Sequence, residues 1–132
     1  MPIPRVVIVD DDPGFGEFVR KVAQGCGYDA LVMTEAATFL AEIARGQPDL
    51  IMLDLQMPDT DGVEVLRALA DLGCTAAILV MSGFDAKVVD TARRLGAARG
   101  LKMGQVLTKP IRAADLRDVL IEFKQGIDSD AG

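Results

Sequence analysis

The stretch Leu-Ile-Met-Leu-Asp-Leu-Gln-Met-Pro, residues 50–58, decides how this chain folds. Four consecutive apolar residues lead into one acidic residue, Asp54, and the segment then breaks at Met57-Pro58. Apolar character that is continuous rather than alternating is typical of a strand covered on both faces, as in a parallel sheet. The stretch therefore predicts a buried strand over residues 50–54 that presents a carboxylate at its carboxyl end.

Four further segments with strand character accompany this one. Between and after the strands, apolar residues recur with the period of an amphipathic helix, which predicts five helices. The alternation predicts the α/β class, with a doubly wound, five-stranded parallel sheet of the flavodoxin-like kind. Strand order 2-1-3-4-5 is one of the two common orders for such a sheet. The predicted strands cover residues 5–10, 29–33, 50–54, 76–81 and 105–107.

Local signals set the helix boundaries. Thr34 is the predicted N-cap of the second helix, and Asp85 is the predicted N-cap of the fourth. The fifth helix is expected to begin near residue 113. We predict that the folded domain covers residues 1–126 and that residues 127–132 form a polar tail.

The composition argues against several classes of protein. The chain has 132 residues, which suits one domain, and its net charge of −6 argues against nucleic-acid binding by this domain alone. No apolar run approaches the roughly 20 residues of a membrane helix. Cys26 and Cys74 lack metal-ligand spacing, so we interpret them as reduced core thiols and expect a cytoplasmic protein.

The charge is unevenly distributed along the chain. Residues 1–84 carry 5 basic and 13 acidic side chains, whereas residues 85–132 carry 9 basic and 7 acidic ones. This asymmetry favours two faces with different partners. The alternative is a solvated surface with uneven statistics.

Polar side chains follow four of the five predicted strands at the point where each strand ends. Because parallel strands end at the same edge of a sheet, these side chains should crowd one edge, where such folds bind ligands. Each residue alone is also explained as a turn or cap residue, but their joint placement favours a functional site. They are Asp10, Asp11 and Asp12 after the first strand, Asp54 on the third, Ser82 after the fourth and Lys109 after the fifth.

This set of residues suits phosphoryl chemistry. Crowded carboxylates repel one another, and a hard divalent cation such as Mg²⁺ relieves that repulsion. The chain has no histidine and no paired cysteines, which disfavours zinc. A carboxylate beside Mg²⁺ can attack a phosphoryl group, so Asp54 is the candidate phosphate acceptor. Lys109 would supply positive charge, while Ser82 and the backbone N–H groups near Gly83 would supply hydrogen bonds.

Four motifs that together span essentially the whole chain stand at the ends of four predicted strands: VDDDP at residues 9–13, LDLQMPDTDG at 53–62, VMSG at 80–83 and LTKP at 107–110. They closely resemble the motifs of the receiver domains of two-component response regulators. The resemblance implies a phosphorylation-operated signalling switch. It implies that Asp54 accepts a phosphoryl group, in a Mg²⁺-dependent reaction, from a sensor histidine kinase or a histidine phosphotransfer protein.

The resemblance also implies a set of metal ligands. Asp11 and Asp54 would bind Mg²⁺ directly, together with the main-chain carbonyl of Gln56. Asp10 would reach the metal through water, and Asp12 would be the third, more variable acid of the first motif.

Other positions would bind or sense the phosphate. By resemblance, Ser82 is the switch hydroxyl that moves onto the phosphate, and Lys109 bridges to it. The bond between Lys109 and Pro110 is expected to be cis. The residues expected to flank the phosphate are Gly83, Phe84 and Gln56.

Two features depart from the usual receiver pattern. Val106 stands where the family usually has an aromatic ring that moves with the switch hydroxyl, and valine has few rotamers. We therefore expect the fourth helix, fifth strand and fifth helix to transmit the signal differently. Residues 98–104 form an insertion that predicts a longer fourth helix ending at Gly100. The insertion is similar to that of receivers attached to EAL-type cyclic-di-GMP phosphodiesterases; the alternative is a function-neutral loop.

We expect a binding switch rather than an enzyme, apart from self-phosphorylation and self-dephosphorylation at Asp54. It would be a stand-alone or excised receiver with an unnamed output target, and it could dimerise through the face from the fourth to the fifth helix. Three alternatives remain open. The first is a haloacid-dehalogenase-like phosphatase, which the acidic residues in 59–62 would suit. The second is a flavodoxin-like module that binds a nucleotide or flavin, although the chain lacks the glycine-rich loop of such modules. The third is a scaffold with the receiver fold that is never phosphorylated.

Overall fold

Five parallel strands form one sheet, in the order β2-β1-β3-β4-β5, in a computed structural model of the protein. The structure describes residues 3–58, 60–83 and 85–131, with side chains through residue 126. The order confirms the predicted doubly wound sheet and places β1 beside β3. The strands are β1 (Arg5–Val9), β2 (Asp29–Met33), β3 (Leu50–Asp54), β4 (Ala77–Ser82) and β5 (Lys102–Thr108).

Helices cover both faces of the sheet, which is why the strands are continuously apolar. One core cluster contains side chains of α1 and α5, and the other contains side chains of α2, α3 and α4. All five residues of β3 are buried. The helices are α1 (Pro13–Gly25), α2 (Ala36–Arg45), α3 (Gly62–Asp71), α4 (Ala86–Ala98) and α5 (Ala113–Ala131).

The start of α2 differs from the prediction. Glu35, not Thr34, occupies the N-cap position, and no side-chain capping hydrogen bond is found there within the described part of the chain. Met33 and Ala36 both pack against the core, so burial rather than capping sets where the helix begins. By contrast, Asp85 caps α4 as predicted, accepting hydrogen bonds from the N–H groups of Lys87 and Val88.

The inserted residues lengthen both α4 and β5. Helix α4 continues to Ala98, and Gly100 follows in the left-handed region at a φ of 83°, which confirms the predicted helix stop. Strand β5 begins at Lys102 rather than at the predicted residue 105. The register shifts between Ile78 and Val80 of β4, which leaves two residues of β5, Gly104 and Gln105, opposite Leu79. The extra length is therefore accommodated as a bulge in an edge strand.

The last helix continues past the predicted end of the folded domain. Helix α5 runs through Ala131, whereas residues 127–132 are predicted to be a polar tail. A single glycine, Gly126, costs a helix only about 1 kcal/mol and no proline follows it, so the sequence contains no strong stop. The domain boundary at residue 126 stays a prediction. Among the described helices, none is both long and apolar enough to cross a membrane.

The two cysteines are free. Cys74 is buried in the core cluster on the α2–α4 side of the sheet, and Cys26 is half-buried beside the other cluster. Burial raises the pKa of both thiols. Cys74 is thus a core thiol as predicted, whereas Cys26 lies at the margin of its cluster. The reduced state of the two thiols stays a prediction.

Candidate functional site

Three carboxylates meet where β1 and β3 end. Val9 of β1 pairs with Leu53 of β3, so the next residues along the chain, Asp10 and Asp54, lie side by side at the carboxyl edge of the sheet. Within the described part of the chain, carboxylate oxygens of Asp10, Asp11 and Asp54 lie within 4.8 Å of one another. Asp10 and Asp54 are buried, whereas Asp11 is exposed. Three carboxylates without histidine or cysteine fit a hard cation such as Mg²⁺ rather than zinc.

Asp12 does not join this group, contrary to the expectation that four acids crowd the edge. Its side chain caps α1, and Oδ1 accepts hydrogen bonds from the N–H groups of Gly14 (2.9 Å) and Phe15 (3.2 Å). Pro13 occupies the first helical position, where a missing N–H has no cost, which makes the preceding aspartate a natural N-cap. Asp61 likewise caps α3 by accepting from the Val63 N–H (2.9 Å).

Lys109 joins the two buried carboxylates. Its Nζ lies 2.8 Å from Oδ2 of Asp10 and 3.3 Å from Oδ2 of Asp54. The Lys109 N–H donates to the carbonyl oxygen of Ser82 (2.7 Å), which ties the end of β5 to β4. The Lys109–Pro110 peptide bond is cis, as the resemblance implies. A single ammonium therefore balances part of the negative charge from two strands.

The ionisation of Asp54 is shaped by its surroundings. Burial is the main influence that raises the pKa of Asp54, and the nearby charge of Asp10 raises it further. The hydrogen bond from the Gln56 N–H and the charge of Lys109 offset only part of that rise. Burial would lower the pKa of Lys109, but its contacts with Asp10 and Asp54 outweigh burial and raise it. Lys109 thus stays positively charged, while further positive charge nearby would stabilise the ionised form of Asp54.

Ser82 ends β4 next to Asp54, since Asp54 pairs with Met81 in the register of the two strands. The hydroxyl oxygen of Ser82 is buried and has no hydrogen-bond partner among the described residues. Ser82 also lines a cavity of about 390 Å³ between α4 and β5, and Val106 lines the same cavity. The hydroxyl is therefore free to form a new bond.

Replacing Ser82 with alanine is expected to leave the free energy of unfolding unchanged or to raise it by about 1 kcal/mol, because a buried hydroxyl without a partner is costly. Urea unfolding measures the effect. Thr108→Ala, an exposed hydroxyl on the neighbouring strand, is the matched control and should change the stability by less than about 0.5 kcal/mol. A loss of more than 1 kcal/mol in Ser82→Ala would mean that the hydroxyl is already bonded.

Gln56 bridges two loops at the mouth of the site. Its N–H donates to Oδ1 of Asp54 (2.9 Å), and its side-chain Oε1 accepts from the Gly83 N–H (2.6 Å). The space beside Gly83 is therefore filled by the glutamine, and an added Cβ there would lie 2.6 Å from Oε1. Phe84, the third residue expected to flank a phosphate, lies outside the described residues.

Phe15 makes a contact with the site that the sequence does not predict. The helical period predicts it only as an apolar residue of α1, yet the Lys109 Nζ lies 4.3 Å from the centre of its ring. The available signal was position: Phe15 falls in the first turn of a helix that starts directly after the acidic strand end. Helical periodicity alone could not distinguish it from a core residue.

The acid cluster and the lysine at the carboxyl edge of a sheet in the order β2-β1-β3-β4-β5 agree with the arrangement that the four motifs imply for a receiver domain. Residues 6–121 match the family described as the response regulator receiver domain, and the chain belongs to that family. Family membership confirms the resemblance drawn from the four motifs, whereas the likeness to EAL-linked receivers stays a prediction.

Individual relatives agree with this assignment. The "DNA-binding response regulator MtrA" of Mycolicibacterium smegmatis is 37% identical over 76 residues, covering 57% of this chain and 33% of that protein. A protein of Burkholderia thailandensis named "Protein-glutamate methylesterase/protein-glutamine glutaminase 2" is 36% identical over 124 residues, covering 86% of this chain and 32% of that protein. The chain spans about a third of the length of these curated relatives.

Solved structures share the fold. A response regulator from Colwellia psychrerythraea has a TM-score of 0.82 at 30% identity, and the match covers 95% of this chain and 99% of that one. The structure titled FIXJ-N has a TM-score of 0.77 at 27% identity, with 95% and 93% covered. The chain is thus similar to receiver domains over nearly its full length.

Proposed function

We propose that this chain is a phosphorylation-operated switch in which Asp54 accepts a phosphoryl group from a phosphohistidine. The donor would be a sensor histidine kinase or a histidine phosphotransfer protein. One observation carries the proposal: Asp54 is buried at the end of β3, within reach of two other carboxylates and 3.3 Å from the Lys109 ammonium. A buried carboxylate beside a second acid and a lysine has the surroundings of a nucleophile rather than of a turn residue.

The proposed step forms one bond and breaks one. A carboxylate oxygen of Asp54 attacks phosphorus, the P–N bond of the phosphohistidine breaks, and the imidazole nitrogen keeps that electron pair. Lys109 would hold one phosphoryl oxygen by charge. Asp10, Asp11, Asp54 and the Gln56 carbonyl offer oxygen ligands for Mg²⁺, which when bound offsets the charge of the phosphoryl oxygens.

The read-out of the phosphate is proposed to run through Ser82. Its unpartnered hydroxyl would bond a phosphoryl oxygen, and the cavity that it shares with Val106 leaves room for α4 and β5 to adjust. The phosphate thus biases a two-state equilibrium of α4, β5 and α5. The surface formed by α4, β5 and α5 is the proposed binding site for an output partner or for a second copy of the chain. The proposed location of the protein is the cytoplasm.

Gln56 is expected to slow the proposed step. Its Oε1 occupies the Gly83 N–H, a donor that the phosphoryl oxygens would otherwise use. We expect Gln56→Ala to accept phosphate roughly threefold to tenfold faster, the worth of about one hydrogen bond. The rate is measured with acetyl phosphate and Mg²⁺. Gln47→Ala, an exposed glutamine in the connection between α2 and β3, is the control; an unchanged or slower Gln56→Ala would contradict this role.

Intact mass spectrometry after incubation with acetyl phosphate and Mg²⁺ tests the proposed function. The native chain should gain one phosphate, and the gain should vanish with a chelator and in Asp54→Asn. Asp90→Asn, which removes an exposed carboxylate of α4, should still gain it. A native chain that gains no phosphate would contradict the proposal. No described contact favours the haloacid-dehalogenase-like alternative, since Asp61 caps α3 and Asp59 lies outside the described residues.

A further inference from the structure

We propose that Phe15 is a positioning residue for Lys109, which it holds against the two buried carboxylates through a cation–π contact. The inference rests on the proposed function, in which Lys109 holds a phosphoryl oxygen. The Lys109 Nζ lies 4.3 Å from the ring centre of Phe15, well inside the roughly 6 Å over which an ammonium is attracted to the face of an aromatic ring.

The contact closes a ring of interactions around the site. Lys109 donates to Oδ2 of Asp10 (2.8 Å), and Oδ1 of Asp10 accepts from the Asp12 N–H (2.9 Å). Oδ1 of Asp12 accepts from the Phe15 N–H (3.2 Å), and the Phe15 ring faces Lys109 again. The position of the ring is therefore coupled to the buried acid that binds the same ammonium.

The aromatic ring is itself held in place. Phe15 lies in the first turn of α1, is half-buried, and contacts Phe18 with ring centres 5.9 Å apart and planes tilted by 46°. A tilted pair of this kind is a favourable aromatic geometry. The face of Phe15 is thus presented to Lys109 by a rigid element rather than by a loop.

The Phe15 ring contacts the Lys109 ammonium without adding a charge to the site. An ammonium has three N–H donors. In Lys109 one donates to Oδ2 of Asp10, and the ammonium also lies 3.3 Å from Oδ2 of Asp54 as an ion pair. The ring covers a further side of the ammonium without adding negative charge, and it excludes water there. A lysine without such a contact has a flexible four-carbon stem and a strongly hydrated head. With the ring in place, the ammonium stays beside Asp54, where the phosphoryl group would arrive.

The test observes the Lys109 ammonium directly, by ¹⁵N NMR of the full chain without any phosphodonor. We expect exchange of its hydrogens with water to be roughly threefold to tenfold faster in Phe15→Leu and near native in Phe15→Tyr, because tyrosine keeps the aromatic face. Phe123→Leu, which removes a partly buried ring of α5 that supports neither Phe15 nor Lys109 among the described contacts, should also stay near native. Equal exchange in Phe15→Leu and Phe123→Leu would overturn the proposal.

A ring-fluorinated phenylalanine placed at position 15 separates electrostatics from packing. Fluorine weakens the negative face and nearly preserves the shape, so exchange should be faster than native if the contact is a cation–π one. Native exchange with the fluorinated ring would overturn the proposal even if Phe15→Leu is fast. Because no phosphate is involved, this outcome is independent of whether Asp54 is phosphorylated. If the native chain takes up phosphate, the rate of uptake should be near native in Phe15→Tyr and lower in Phe15→Leu.

Discussion

Lys109→Ala is expected to slow phosphate uptake at Asp54 by about a hundredfold, the usual effect of removing one group that stabilises developing negative charge. The same change should lower the free energy of unfolding by about 2 kcal/mol. The loss should be smaller than for a fully buried ion pair because the Lys109 side chain is 25% exposed. The cause is that Asp10 and Asp54 remain buried beside each other without their shared cation.

Acetyl phosphate uptake and urea unfolding measure these two effects. Lys102→Ala, an exposed lysine of β5, is the matched control and should behave like the native chain. Mg²⁺ should restore part of the stability that Lys109→Ala loses, because it replaces the missing positive charge. Phosphate uptake by Lys109→Ala at the native rate would show that the lysine has no role in the reaction.

Leu53→Ala is expected to lower the free energy of unfolding by about 3 kcal/mol, the cost of lost apolar contact plus the cavity that remains. Leu53 is fully buried in β3 and pairs with Val9 on one side and Val80 on the other. Few of its neighbours can move to fill the space, because both sides of the strand are occupied by strands and the residue faces packed helices.

Urea unfolding with an unchanged slope measures this loss. Leu72→Ala is the control: the residue follows α3 and is 42% exposed, so the change in stability should stay within about 0.5 kcal/mol. Equal losses for the two leucines would contradict the placement of β3 at the centre of the sheet.

Much of the fold follows from local patterns. The bounds of β2 and β3 are those predicted, because a continuous apolar run between turn residues leaves little freedom in where a buried strand lies. The carboxyl ends of such strands meet at one edge whatever the details of packing. For that reason the sequence predicts that Asp10, Asp54, Ser82 and Lys109 approach one another.

What the sequence could not predict depends on contacts between distant segments. The start of β5 at Lys102 requires its pairing with Ala77, and the bulge at Gly104 follows from that register. Asp12 directly follows the candidate metal ligands Asp10 and Asp11, yet its side chain caps the N-terminus of α1. The contact between Phe15 and Lys109 joins residues at opposite ends of the chain, and no local period reveals it.

Locating the phosphate tests directly whether Asp54 is the phosphate acceptor. The native chain is treated with acetyl phosphate and Mg²⁺ and then with borohydride, which reduces an acyl phosphate of aspartate to homoserine, and its peptides are sequenced by mass spectrometry. Homoserine is expected at position 54 and at no other aspartate. Homoserine at Asp10 or Asp11 instead, or a phosphate on a serine or threonine that borohydride leaves intact, would contradict it.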